Sequence, residues 1–187
     1  MRKVVVSEFV SIDGVAEDPG GGEGSPLGPW TFKFNRGEDG NRFKYDELMA
    51  SDALLLGRVT YEGFAAAWPG RSDEFSDKFN SMTKYVASTT LKDPSWANSH
   101  VLEGDVVDAI MKIKAEDGGD ILVNGSMTLV RTLLENNLVD EYRLMVFPIV
   151  LGSGKRLFDN TSQATLRLAD TKPVGPDGVI VLTYVPA

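Results

Sequence analysis

Apolar residues recur along the chain in short, β-branched runs, a pattern typical of strands that are buried on at least one face. The first run covers residues 3–10 and is interrupted only by Ser7 and Glu8. Residues 53–56 and 120–123 are shorter runs of the same kind. The pattern predicts further strands at residues 84–88, 99–103, 139–150, 164–169 and 178–185, and it is weaker at residues 99–103.

Apolar positions three and four residues apart predict amphipathic helices between these strands. In residues 105–116, Val106, Ile110 and Ile113 share one face, and Asp105 stands before them as a helix N-cap. Further helices are predicted at residues 42–51, 60–68, 73–82 and 126–136.

The order of these elements predicts an α/β fold in a single domain that spans residues 1–187. Because strands alternate with helices, we expect a single mixed, mostly parallel sheet flanked by helices. The last strands follow one another without intervening helices, so the C-terminal strands are expected to be antiparallel.

A long segment with few periodic apolar positions, residues 17–40, separates the first strand from the first helix. Glycine and proline are concentrated in it. A long loop in a compact domain is more often functional than idle. Trp30, Phe32 and Phe34 could close over a substrate as a lid, and packing in the core is the alternative for the same three side chains.

Composition restricts the classes of function. The formal net charge is −8 and the sequence pI is about 4.7, which opposes long-range attraction to nucleic acid or to anionic lipid. The chain has no cysteine and one histidine, so neither a disulfide nor a metal site is predicted. The sequence shows neither the features of a signal peptide nor an apolar run long enough to span a bilayer, so a cytoplasmic location is expected.

Three predicted strands end in turns that suit a phosphate group. The first turn contains Gly57, Arg58 and Thr60, the second is Ser88-Thr89-Thr90, and the third runs from Asn124 to Thr128. Glycine lets a backbone approach a ligand closely, and the free amides at a helix N-terminus bind anions. Each turn alone is more often an ordinary turn, but ligands of open α/β sheets bind where such strand ends meet. The three turns together favour an anionic nucleotide.

The order of these strands, helices and turns resembles the dihydrofolate reductase fold, and the resemblance covers nearly the whole chain. Residues 55–62 are similar to that family's strand and G-R-x-T-[WY]-E turn, residues 84–88 to its next strand, and residues 121–126 to its glycine-rich turn. The resemblance implies NADPH as the cofactor. It implies a groove lined by Gly57, Arg58, Thr60, Ser88, Thr89, Gly125, Ser126, Met127 and Thr128. Arg58, Lys84 or neither of them recognises the 2′-phosphate, and the sequence leaves these three alternatives open.

The C-terminal half is more similar to one branch, the reductase domain of the bifunctional riboflavin-pathway deaminase-reductase. The segments that carry this likeness are residues 138–144, residues 148–158 and the first-strand sequence Ser11-Ile12-Asp13-Gly14. The resemblance implies a homodimer. No cysteine-based zinc site of a deaminase is present, so the chain is expected to be a stand-alone reductase.

The resemblance implies hydride transfer to a small-molecule substrate, most like 5-amino-6-(5-phosphoribosylamino)uracil. Reduction of a folate, pterin or other small substrate on the same fold, and a non-catalytic nucleotide-binding dimer, are the alternatives. In dihydrofolate reductases a carboxylate on the first helix binds the pterin, and Asn41 falls near that position when residues are counted back from Gly57 without a gap.

Catalytic acids are sought among the carboxyl groups near the expected site. Asp13 is the first candidate because it follows the first strand, and a turn-forming role is its alternative. Asp46 and Glu47 on the first helix are also candidates, although a solvated helix face with an Arg42–Asp46 pair is favoured for them. Lys155 and Arg156 could attract a substrate phosphate or form a solvated loop.

Overall fold

The computed structural model describes all 187 residues and contains one eight-stranded sheet. The strands are β1 Val4–Ser11, β2 Ser51–Gly57, β3 Thr83–Ala87, β4 Ser99–Val101, β5 Asp120–Val123, β6 Glu141–Phe147, β7 Leu166–Val174 and β8 Val179–Pro186. Their order in the sheet is β4-β3-β2-β5-β1-β6-β8-β7. Every pairing among β1 to β6 is parallel, whereas β8 is antiparallel to both β6 and β7. The expected α/β fold with a mixed, mostly parallel sheet and antiparallel C-terminal strands is therefore confirmed.

Helices cover both faces of this sheet, as the amphipathic patterns predict. The helices are α1 Gly37–Ala50, α2 Arg58–Ala67, α3 Glu74–Ser81, α4 Val106–Ala115 and α5 Met127–Glu135. Ile110 of α4 and Leu133 of α5 are buried against one face, while Leu48 of α1 and Phe79 of α3 are buried against the other. Alternate residues of β1 supply both cores, with Val6 on the first side and Val5 on the second.

Three predicted boundaries are wrong for identifiable reasons. The strand predicted at residues 164–169 runs from Leu166 to Val174, because its pairing with β8 continues through exposed polar residues that lack an apolar pattern. The strand predicted at residues 139–150 ends at Phe147, since Pro148 leaves the sheet after the last pairing with β1. The helix predicted to begin at residue 42 begins at Gly37, because polar residues of its first turn lack the apolar spacing that marks the rest. The long segment after β1 is correspondingly shorter than expected.

The three aromatic residues of that segment have different environments. Trp30 is fully buried and packs edge-to-face on Phe147, with ring centroids 5.6 Å apart, so it belongs to the core and not to a lid. Phe34 also contacts Phe147, whereas Phe32 is exposed. None of the helices is long and apolar enough to cross a membrane.

Candidate active site

The turns after β2 and β5 meet at the carboxyl edge of the sheet. Gly57 N donates a hydrogen bond to Gly125 O at 3.2 Å, although the two residues are far apart in sequence. A Cβ on Gly57 would overlap Ser126 Oγ. A Cβ on Gly125, which has φ +100°, would lie 2.8 Å from Thr60 Oγ1. The Gly125–Ser126 peptide is cis. Two of the predicted turns thus form one compact feature that tolerates only glycine at both contacts.

Helices α2 and α5 begin at this feature, and their N-termini carry no compensating side chain. Gly57 and Ser126 occupy the N-cap positions without a side-chain hydrogen bond to the helix, and neither first turn contains an acidic residue. The first amides of both helices therefore remain available at the positive ends of two helix dipoles. This arrangement fits the phosphates of a dinucleotide, which Arg58, Thr60, Met127 and Thr128 would flank.

The second predicted turn, Ser88-Thr89-Thr90, lies beside the first, because β3 pairs with β2 and places Ala87 opposite Gly57. Ser88 follows immediately, and its Oγ accepts hydrogen bonds from Thr90 N at 3.1 Å and Leu91 N at 2.9 Å. Thr89 is exposed. The structure therefore brings Ser88 and Thr89 to the same edge as Arg58.

Lys84 is not available to a phosphate. Its side chain is fully buried, and its ammonium donates hydrogen bonds to Asn80 O and, at 3.0 Å, to Ala97 O. The ammonium also lies 4.2 Å from the centroid of the Trp96 ring, and burial lowers its pKa to about 8. Of the two candidates for the 2′-phosphate, only Arg58 is exposed, and its guanidinium pairs with Glu62 at 2.8 Å.

Asp13 is committed to holding a loop. Its carboxylate accepts hydrogen bonds from Ser11 Oγ at 2.7 Å, Leu151 N at 3.1 Å and Gly152 N at 2.8 Å. These donors lower the pKa of Asp13 to about 2. A carboxyl group that stays ionised at neutral pH has no proton to give, so the geometry favours the turn-forming role over the predicted acid.

The two acidic candidates on α1 differ sharply. Asp46 is exposed and pairs with Arg42 Nε at 2.7 Å, as the solvated interpretation predicts. Glu47 contradicts that interpretation, because it is 3% exposed and accepts hydrogen bonds from Ser7 Oγ at 2.9 Å and from the Lys44 ammonium. Packing of α1 on β1, which periodicity alone does not report, buries this carboxylate.

A further carboxyl group, Glu8, is absent from the sequence-based set of candidates. It lies in the middle of β1, is 6% exposed, and its Oε1 is buried without a hydrogen-bond partner. Burial raises the pKa of Glu8 to about 8. The signal was present in the sequence, since a charged residue interrupts an otherwise apolar strand.

The glycine- and proline-rich segment after β1 crosses the carboxyl edge of the sheet. Asp18 organises it, because its buried carboxylate accepts hydrogen bonds from Gly22 N, Glu23 N and Ser25 N. We call residues 17–31 the covering loop. Within this loop, Gly22 O lies 3.8 Å from the position that a Cβ on Gly63 of α2 would take. Leu27 contacts Gly154 in the segment that follows β6, so the loop extends from α2 to that segment.

A surface cavity of about 890 Å³ opens between α1 and α3. Lys44 connects it to Ser7 on β1, since the Lys44 ammonium donates to Ser7 Oγ at 2.7 Å. Neither Lys155 nor Arg156 lines this cavity. The Arg156 guanidinium donates a hydrogen bond to Asp13 O at 2.9 Å, and Lys155 is exposed. The residues that give the cavity its mixed aromatic and charged lining include Arg36, Arg42, Tyr45, Trp68, Arg71 and Phe75.

Comparisons with known proteins agree with this architecture. The family model of the RibD C-terminal domain matches residues 2–180. The uncharacterized protein YwjB of Bacillus subtilis is 32% identical to the chain over 190 residues, covering 100% of the chain and 99% of that protein.

Two solved structures share the fold. A putative riboflavin biosynthesis protein from Shewanella sp. PV-4 has a TM-score of 0.77 at 22% identity, with 99% of each chain covered. The dihydrofolate reductase of Enterococcus faecalis, in complex with NADP(H) and RAB-propyl, has a TM-score of 0.65 at 15% identity, covering 98% of this chain and 96% of that one. The expected dihydrofolate reductase-like fold is confirmed.

Proposed function

The chain belongs to the RibD C-terminal domain family, and on that premise we propose that it is an NADPH-dependent reductase of a small heterocyclic or sugar-linked substrate. The proposed substrate is most like 5-amino-6-(5-phosphoribosylamino)uracil. The observation that carries the proposal is the meeting of two uncapped helix N-termini, α2 and α5, at the Gly57–Gly125 contact.

The residues of this edge would divide the work of binding. When bound, NADPH supplies a hydride to a polarised carbon–nitrogen or carbon–oxygen double bond. The first turns of α2 and α5 bind the phosphates, and Arg58 with Ser88 and Thr89 recognises the 2′-phosphate. The covering loop excludes water from the reacting atoms, and the cavity between α1 and α3 admits the substrate.

Reduction of a folate or pterin is a second candidate, and one observation favours it. Glu47 is a buried carboxylate on the first helix; its Oε1 accepts no hydrogen bond, and the Arg143 guanidinium lies 3.7 Å from it. A pterin ring with adjacent N–H donors would suit that oxygen. Asn41, at the position reached by gapless counting, is instead exposed and accepts a hydrogen bond from Arg36 Nε at 2.7 Å.

A fluorescence titration with NADPH and NADH tests the cofactor proposal. We expect micromolar binding of NADPH, weaker binding of NADH, and a loss of that preference in Arg58→Ala, because the variant removes a fixed positive charge from the groove. Arg42→Ala is the matched control, since Arg42 is also exposed and also forms a helical i,i+4 ion pair.

Two other results would lead elsewhere. Failure of both dinucleotides to bind would contradict the reductase proposal. Binding of NADPH without its oxidation in the presence of the uracil substrate, dihydrofolate or dihydrobiopterin would favour the non-catalytic nucleotide-binding protein. We further propose a homodimer, which light scattering of the purified protein tests directly.

A further inference from the structure

Glu8 lies where the sheet opens. The last pairing of β1 with β5 is Val6 with Val123, but β1 continues to pair with β6 as far as Ser11. Asn124 then turns away from the sheet, and its Nδ2 donates to Ser7 O at 2.8 Å. Glu8 is therefore the first residue of β1 beyond that contact, next to the turn that carries Gly125 and Ser126.

The carboxyl group of Glu8 differs from the other buried carboxyl groups of the chain. Asp18 accepts three backbone hydrogen bonds, and Glu47 accepts hydrogen bonds from a hydroxyl and an ammonium. Glu8 makes no side-chain hydrogen bond, and its Oε1 has no solvent access. Buried polar groups are normally paired, because an unpaired one costs free energy, so an exception at a ligand edge points to a ligand.

The charged groups around Glu8 come from two elements. Lys44 and Glu47 lie on α1, and Glu23 lies in the covering loop. Lys44 lowers the pKa of Glu8 and the two carboxylates raise it, but the loss of solvent is the largest cause and raises the pKa to about 8. At neutral pH the group therefore holds a proton.

We propose that Glu8 contacts the bound substrate and donates the proton that accompanies hydride transfer. This inference rests on the proposed reductase function. A hydride forms a new C–H bond at the electrophilic carbon, and the π electrons of the C=N or C=O bond take the proton from Glu8 to form N–H or O–H. The cofactor is oxidised, the substrate is reduced, and water returns a proton to the Glu8 carboxylate.

The first test uses the protein without any substrate. Carboxyl-carbon NMR of protein labelled at glutamate, compared with Glu8→Gln to assign the signal, measures the pKa of Glu8 directly. We expect a titration near pH 8. A Glu8 signal that titrates near 4.5, the ordinary glutamate value, would overturn the proposal regardless of any activity.

The second test is the pH profile of NADPH oxidation with the uracil substrate and with dihydrofolate. We expect Glu8→Gln to lower kcat by about 100-fold or more and to leave the NADPH Kd unchanged, because proton donation contributes that much to catalysis. The wild-type kcat should be level below pH 8 and fall above it, as the acid ionises. Glu8→Asp should recover part of the rate, and Glu103→Gln, an exposed site after β4, serves as the control.

The results separate the two proposals. An active wild type whose Glu8→Gln variant keeps its rate and its pH profile would overturn the role of Glu8 and leave the reductase standing. A wild type that oxidises NADPH with neither substrate would overturn both, since no reaction would remain for Glu8 to assist.

Discussion

Helices α3 and α4 each have an aspartate at the N-cap position, whereas α2 and α5 have none there. Asp73 Oδ1 accepts a hydrogen bond from Ser76 N, and Asp105 Oδ1 accepts from Val107 N and Asp108 N. Both of these helices also carry acidic residues in the first turn, as does α1. At α2 and α5 the N-cap positions hold Gly57 and Ser126, without a side-chain cap and without an acid nearby.

This difference separates helix ends that serve stability from helix ends that can serve binding. A carboxylate at an N-cap satisfies the free amides and complements the dipole, which stabilises the helix by about 1 kcal/mol. It also repels any other anion from the same amides. Leaving α2 and α5 without such groups forgoes that stabilisation and keeps two positive helix ends open at one edge of the sheet.

The largest expected effect comes from placing a side chain at the contact between the N-termini of α2 and α5. Gly57→Ala places a methyl group against Ser126 Oγ and close to Ser126 N, so the α5 end must shift away from α2. We expect NADPH affinity to fall by about 100-fold or more, with a loss of stability of about 1–3 kcal/mol from overpacking. Fluorescence titration and thermal melting measure the two effects. Gly70→Ala is the control, because no atom lies within 4 Å of its Cβ position.

A smaller effect is expected when an acidic residue is added to the first turn of α5, whose N-terminus has no acidic residue. Thr128→Asp adds an acid to the first turn of α5 at an exposed position, as Asp108 already does in α4. We expect NADPH affinity to fall by about tenfold, because a bound phosphate then meets a negative charge, while thermal stability is maintained or rises slightly. The loss should shrink at high salt, where the repulsion is screened. Unchanged NADPH affinity at low salt would show that the α5 end does not bind the phosphates.

The smallest effect is expected when the aspartate cap is removed from α4. Asp105→Ala removes the cap of α4, and we expect the free energy of unfolding to fall by about 1 kcal/mol with no change in NADPH affinity. Urea denaturation and the same titration measure these quantities. Weaker NADPH binding by this variant in the absence of urea would mean that the N-terminus of α4 also belongs to the binding edge, although it is capped.

Local features of the sequence were sufficient for part of this description. Asp105 was identified as a cap from its place before an apolar helical pattern, and the structure confirms the bond. The three ligand-type turns were found because glycine, hydroxyl groups and strand ends are visible along the chain. The pairing of Arg42 with Asp46 followed from their four-residue spacing. Each of these depends on neighbours within one or two turns of the chain.

The state of the buried ionisable groups did not follow from local pattern. Lys84 was a candidate for the 2′-phosphate because it is near Ser88 in sequence, yet α3 and the segment before β4 enclose it. Glu47 was placed on a solvated face, yet β1 covers it. Asp13 was chosen as an acid, yet the loop after β6 supplies the amides that keep it ionised.

The sequence alone therefore determined the order of strands and helices, the turns that could bind a phosphate and the cap of α4, since these depend on spacing and local hydrogen bonding. Only the tertiary structure decided that Gly57 and Ser126 touch, that Asp13 is held ionised and that Glu8 is left without a partner. The protonation and availability of a side chain depend on which distant elements exclude water from it and which donors they bring. Those elements meet only when the sheet is assembled.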